Sequence, residues 1–134
     1  MKNITRMVSD EVYEGINENG NKVLIDMRKI EERKGQSPTE LLLSALAGCA
    51  GVDIAIMLKK RKKTINEFVI ETDGHRKTET PKYFTDIHCK YIITSPDVNE
   101  DELHKAAQLT LEKYCSVASS LKSKITFSVQ VIKG

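Results

Sequence analysis

Three cysteines, Cys49, Cys89 and Cys115, are the side chains of this 134-residue chain best suited to covalent chemistry. In thiol chemistry the nucleophile is the thiolate, so a reactive cysteine needs a lowered pKa and some access to solvent or substrate. Cys49 stands among Ala47, Gly48, Ala50 and Gly51, where no large neighbour shields its sulfur. It lies well inside a helical pattern, so the start of its own helix supplies no positive potential. The alternative reading is a small buried hydrophobe. Cys115 follows a helical stretch that ends at Tyr114 and can begin the next helical turn, where unpaired N–H groups favour the thiolate. The alternative is a chance cysteine in a tight turn. Cys89 keeps step with Ile87, Tyr91 and Ile93 in a strand pattern and is expected to face the core.

Other chemistries find less support. His75, His88 and His104 have no ligand-like spacing with one another or with the cysteines, and no Cys-x-x-Cys occurs, so no metal site is expected. His88 and Cys89, as strand neighbours, would point to opposite faces. There is no Gly-rich phosphate loop and no serine nucleophile elbow, so no cofactor is expected either.

The elements that must position these thiols can be read from hydrophobic spacing and turn signals. Residues near Arg6–Asn17 and Lys22–Met27 read as antiparallel strands flanking Glu18-Asn19-Gly20-Asn21, a hairpin signal because both residues of an Asn-Gly turn must accept positive φ. Lys29–Gln36 is charged, contains Gly35 and reads as a mobile surface loop. Ser37-Pro38-Thr39-Glu40 opens a helix, with Ser37 as N-cap, Pro38 in the first helical position and Glu40 completing a capping box. That helix runs to about Lys62. Its apolar residues cover the whole circumference, which marks a helix enclosed on all sides, and its small residues let other backbones approach. One short chain can hardly cover such a helix, so a homodimer burying it between subunits is expected.

Phe68–Thr72 and Phe84–Thr94 read as strands joined by a polar connection through Asp73-Gly74 and Pro81. Asp97–Tyr114 reads as an amphipathic helix, Val117–Lys122 as a short further helix and Ile125–Val131 as a final strand. Mixed helices and strands with hairpin-style connections favour an α+β fold built as one domain, residues 1–134.

Composition bounds the function classes. Apolar residues make up 40% and charged residues 30%, a globular balance, and the net charge of +2 implies no nucleic-acid partner. Lys59–Lys63 reads as a solvated helix end. Leu41–Leu58 approaches the length of a bilayer span, but Asp53 would cost about 2.5–3.5 kcal/mol inside the hydrocarbon, so no membrane partner is expected. No apolar run follows Met1-Lys2-Asn3-Ile4-Thr5-Arg6, so no secretion signal is read, and three cysteines without one point to the cytoplasm.

The stretch Ser37-Pro38-Thr39-Glu40-Leu41-Leu42-Leu43-Ser44-Ala45-Leu46-Ala47-Gly48-Cys49 resembles the Pro-x-Glu-(x)8-Cys helix of OsmC/Ohr proteins. Glu112-Lys113-Tyr114-Cys115-Ser116-Val117-Ala118 resembles that family's second cysteine segment. Asn19–Asp26, Ala50-Gly51-Val52-Asp53 and Thr80–Thr85 are similar to the YhfA-like branch. The resemblance implies an OsmC-like α+β fold, with an antiparallel sheet wrapped around a buried central helix and an intertwined homodimer carrying two interface sites.

The resemblance also implies thiol-dependent peroxidase chemistry, mostly on organic hydroperoxides. Cys49 would be the peroxidatic thiolate that becomes a sulfenic acid, and Cys115 the resolving thiol. A dithiol reductant, lipoyl or a small thiol, would reopen the disulfide. Glu40 aligns with an acidic position of the family helix, while Thr39 stands where Ohr members carry their activating glutamate. Arg6 and Arg28 match no arginine motif of the family. That mismatch keeps a second reading open, a non-catalytic redox-sensing or small-molecule-binding protein using the same interface pocket. A structural interaction module with inert cysteines is the third.

Overall fold

The computed structural model describes all of Met1–Gly134. At Ser37 the capping box forms as the spacing predicts. The Ser37 amide donates to Glu40 Oε1 at 2.9 Å and the Glu40 amide donates to Ser37 Oγ at 3.3 Å. Each half satisfies an N–H that the helix cannot, and losing such a cap typically costs about 0.5–2 kcal/mol. The helix that follows, α1, spans Pro38–Lys60, and Lys62 leaves it through a left-handed conformation at φ 61°.

The chain divides into two units, Met1–Leu42 and Leu43–Gly134. In the first, β1 (Asn3–Ser9), β2 (Val12–Asn17) and β3 (Lys22–Asp26) form an antiparallel sheet in that order. The stretch read as one strand from Arg6 is thus two, broken at Asp10-Glu11, where Glu11 takes φ 65°. The β2–β3 hairpin forms where the Asn-Gly signal puts it, but only Gly20 has positive φ (84°). The Asn17 side chain does the rest, accepting the amides of Asn19 and Asn21 at 3.1 and 2.8 Å.

Lys29–Gln36 is pinned, contrary to its reading as a mobile loop. Asp26 is fully buried and accepts a two-pronged bond from Arg28, Nε to Oδ1 at 3.0 Å and Nη2 to Oδ2 at 2.7 Å. It also accepts the amides of Arg28 and Lys34. The Arg28 guanidinium beside Asp26 holds its carboxyl well below the usual carboxylate range. A buried carboxylate with four donors holds the loop that a composition count would release.

The second unit carries most of α1, then β4 (Glu67–Arg76), β5 (Phe84–Thr94), α2 (Glu100–Leu109), α3 (Ser116–Ser120) and β6 (Lys124–Ile132). β4 and β5 pair antiparallel, whereas β5 and β6 pair parallel, so this sheet is mixed and not wholly antiparallel as expected. The reason is topological. A parallel return needs a crossover, and α2 with α3 supplies it between β5 and β6.

Asp73-Gly74 lies inside β4 and not in a connection, with Gly74 opposite Ile87 of β5. Gly74 is needed there because the Phe84 ring lies against it: a Cβ would come within 2.6 Å of Phe84 Cδ1 and 3.2 Å of Leu43 Cδ2. The core gathers Leu46, Ala50, Ile54 and Leu58 of α1, Ile87, Cys89, Tyr91 and Ile93 of β5, and Leu103, Ala106 and Ala107 of α2. One stripe of α1 is therefore buried, at the four-residue spacing of a helix face. Val52 and Ile56, off that stripe, are 59% and 46% exposed, so a single chain does not enclose the helix. Gly74→Ala should cost about 1–3 kcal/mol through overpacking against the Phe84 ring, read as a lower urea midpoint at unchanged slope.

Candidate functional site

Two of the sequence-predicted residues meet. The thiols of Cys49 and Cys115 are neighbours, close enough to interact, and both are free. Cys49 comes from the middle of α1 and is half-buried. The helix is thin on both sides of it, for different reasons. At Gly51 a Cβ would stand 2.7 Å from Ile70 Cδ1, so β4 uses the missing side chain. At Gly48 nothing lies within 4 Å, so that side of Cys49 is open.

Cys115 is delivered by a feature absent from the periodicity. The helix read as Asp97–Tyr114 starts later, at Glu100 with Asn99 as its N-cap, and turns π-helical over Thr110–Tyr114. The Cys115 amide closes that turn on the Thr110 carbonyl at 2.8 Å, and Thr110 is buried. A π turn takes one more residue than an α turn and so resets which side chains face inward. It sets Cys115, 1% exposed, as the N-cap of α3, where its sulfur accepts the Ala118 amide at 3.4 Å.

The electrostatic expectation for Cys115 needs correction. Being at a helix start does favour its thiolate, through the Ala118 and Val117 amides, but burial outweighs them and pushes the thiol up. The contact with Cys49 pushes the same way. α3 is a single turn of five residues, too short to offset a dry site. Cys89 faces the core as its strand pattern indicates, fully buried, and burial pushes its thiol up too.

Glu40 is committed to the helix start. Its carboxylate accepts the Ser37 amide and pairs with Arg33 Nη1 at 3.6 Å, and these contacts hold it below the ordinary glutamate value, the Ser37 amide most. Arg33 escaped the sequence reading. It sits in the pinned loop, where its Nε donates to the Arg28 carbonyl at 2.7 Å. Arg28 belongs to Asp26, and Arg6 is exposed on β1.

A further residue went unread. Tyr91, on the inward face of β5 two places beyond Cys89, is fully buried, and the one polar side chain its hydroxyl meets is the Cys89 thiol. Its oxygen lies beside the Cys89 sulfur and within electrostatic range of Cys115, and burial pushes the phenol far up. A thiol is a weak hydrogen-bond partner for a buried hydroxyl. No three His, Cys, Asp or Glu side chains converge on one point. A cavity of about 710 Å³ lies in the same unit. Neither sulfur lines it, though its walls include Asp53, one turn beyond Cys49, and Tyr114, next to Cys115.

The OsmC-like protein family matches residues 31–130, the span that holds both thiols. The chain belongs to the OsmC-like family. It is similar to Protein YhfA of Escherichia coli K12, with 30% identity over 129 residues covering 95% of both chains. Among solved structures it is similar to an OsmC-like protein from Mycoplasma pneumoniae at 25% identity, TM-score 0.82, covering 98% of this chain and 96% of that one. It shares its fold with the organic hydroperoxide resistance protein OhrB of Bacillus subtilis at 12% identity, TM-score 0.63 and 98% coverage of each. The mixed α+β architecture is thus that of OsmC-like proteins.

Burial fixes a pH dependence for this OsmC-like chain. Cys89, Cys115 and Tyr91 all hold their protons to higher pH folded than unfolded. Their contribution is complete below the unfolded values and is lost as pH rises through them toward the folded ones. In reductant the thermal midpoint should hold level between about pH 6 and 8 and fall above about pH 9. Cys89→Ala should make that alkaline fall shallower, which thermal melts across pH will check.

Proposed function

We propose that this chain is a thiol-dependent peroxidase that reduces organic hydroperoxides in the cytoplasm. The single observation carrying this reading is the contact between a half-buried thiol on a central helix and a buried thiol from a distant helix cap. It is supported by membership in a family that includes organic hydroperoxide resistance proteins.

The Cys49 thiolate attacks the peroxide O–O bond, taking one oxygen as a sulfenic acid while the alkoxide leaves as alcohol with a proton from solvent. The Cys115 sulfur then attacks the Cys49 sulfur. An S–S bond forms, the S–O bond breaks, and the hydroxyl departs with the Cys115 proton as water. An external dithiol, lipoyl or small, returns both thiols by exchange. Cys49 suits the first role because one of its sides is open at Gly48, and Cys115 suits the second because it is dry and a neighbour of Cys49.

The working form in this reading is a homodimer. Its support is apolar surface close to the thiols: Val52 and Ile56 on α1, and Tyr114, which is 56% exposed beside Cys115. Sedimentation of the reduced chain should give twice the monomer mass.

One observation favours a second reading, a redox sensor that oxidises once and resets slowly: the Cys115 thiol is pushed up, which slows disulfide closure. Turnover separates the two. With cumene hydroperoxide and a dithiol in excess, the wild type should consume peroxide through many cycles, and Cys49→Ser should be silent. Intact mass after brief exposure should show a loss of two hydrogens that requires both Cys49 and Cys115. Consumption by the wild type no faster than by Cys49→Ser overturns the peroxidase reading.

A further inference from the structure

Between α1 and α2 lies the cavity of about 710 Å³, a size within the range of about 300–1,000 Å³ typical of small-molecule sites. The two helices run alongside each other in opposite senses. Lys63, just beyond α1, pairs with Glu102 at the start of α2 at 3.1 Å, and the Thr110 hydroxyl beyond α2 donates to Met57 Sδ at 3.9 Å. The cavity follows α1 from Asp53 to Arg61, about 12 Å at a helical rise of about 1.5 Å per residue. Its middle is apolar, built from Ile56 and Met57 of α1 and from Ala106 and Leu109 of α2. Ile56 and Leu109 keep 46% and 37% exposure, so the chain itself leaves this middle uncovered.

The charges on the walls gather at the two ends. Where α1 stops stand Lys60 and Arg61, whose side chains make no ion pair or hydrogen bond. The other charged groups at that end are taken. Lys105 pairs with Asp101 at 3.1 Å, and Glu102 Oε1 accepts Lys63 and Asn99 Nδ2, while its second oxygen is buried away from the open space. At the opposite end Asp53 is likewise unpaired. Two unspent cations against one unspent carboxylate select an anionic ligand, and their places fix its direction. We propose that the cavity is a binding site for an amphipathic anion, with one carboxylate head held by Lys60 and Arg61 and an unbranched apolar chain lying along Ile56, Met57 and Leu109. The head gains charge-assisted hydrogen bonds, the chain takes apolar wall out of water, and Asp53 repels a reversed ligand. Neither sulfur lines the cavity, so this site is separate from the one where peroxide meets Cys49 and does not depend on the peroxidase reading.

The test is isothermal titration of the full reduced chain, without peroxide, with sodium decanoate kept below the concentration at which it forms micelles. Decanol and decyltrimethylammonium are run beside it. Decanoate should saturate at one per chain, with both other probes weaker by about tenfold or more. Added salt should weaken decanoate, because charge holds its head. In methyl NMR spectra the Ile56, Met57 and Leu109 signals should shift, while those of Ile4 and Ile132 stay. Lys60→Gln combined with Arg61→Gln should weaken decanoate about tenfold and leave decanol unchanged. Both side chains are exposed, so the double variant keeps its core. Equal affinity for the three probes, shifts confined to other methyls, or unchanged decanoate affinity in the double variant overturns the proposal. So does the lack of saturable binding, which is the result expected if a second copy of the chain fills the cavity.

Discussion

The meeting of Cys49 and Cys115 brings a half-buried thiol beside a dry one, and most of the larger unit can be understood as what allows it. Two sulfurs from distant segments meet only if a helix is narrow enough to be approached and a second segment ends at the right angle. α1 meets the first condition with Gly51, where β4 packs into the space a side chain would take. The second condition falls to the five-residue π turn, which rotates the chain so that Cys115 faces inward and Tyr114 outward. A regular α-helix through Tyr114 would shift that phase. The unit thus departs from ordinary helical economy with two glycines inside α1, Gly48 and Gly51, and with the π turn that delivers Cys115.

The rigid frame around the junction comes from polar contacts at its ends. Ser95 Oγ accepts the amides of Asp97 and Val98, and Asp97 accepts the Thr64 amide at 2.9 Å, which ties the segment after α1 to the entry of α2. Lys63 adds bonds to the Asp97 carbonyl and to Glu102, at 2.9 and 3.1 Å. These bonds fix where α1 ends and α2 begins. Because α2 leads directly into the π turn, they also fix where Cys115 arrives. The basic run Lys59–Lys63, read as a solvated helix end, therefore contains one lysine with a structural duty.

Much of this was legible from residue order because local rules dominate there. The capping box, the Asn-Gly hairpin, β5 and the inward Cys89 follow from contacts within a few residues or from simple alternation. The failures share one cause, which is that a distant partner overrode a local signal. Gly74 looks like a turn residue until the Phe84 ring is seen against it. The Lys29–Gln36 loop looks free until buried Asp26 collects its amides. The parallel pairing of β6 depends on a crossover that no single strand records. Arg33 and the buried Tyr91 hydroxyl were invisible because each is defined by what surrounds it, and neither is part of a spacing pattern.

The dryness that shapes Cys115 also bears on the direction of the proposed chemistry. A nucleophile in a peroxide reaction must be reached by substrate, whereas a resolving thiol must be reached only by its partner. Burial costs the second role less than the first, since closure needs no diffusing reactant and the attacking sulfur is already a neighbour. What burial takes away is the anion, by disfavouring charge at Cys115 more than the amides of one short helix can restore.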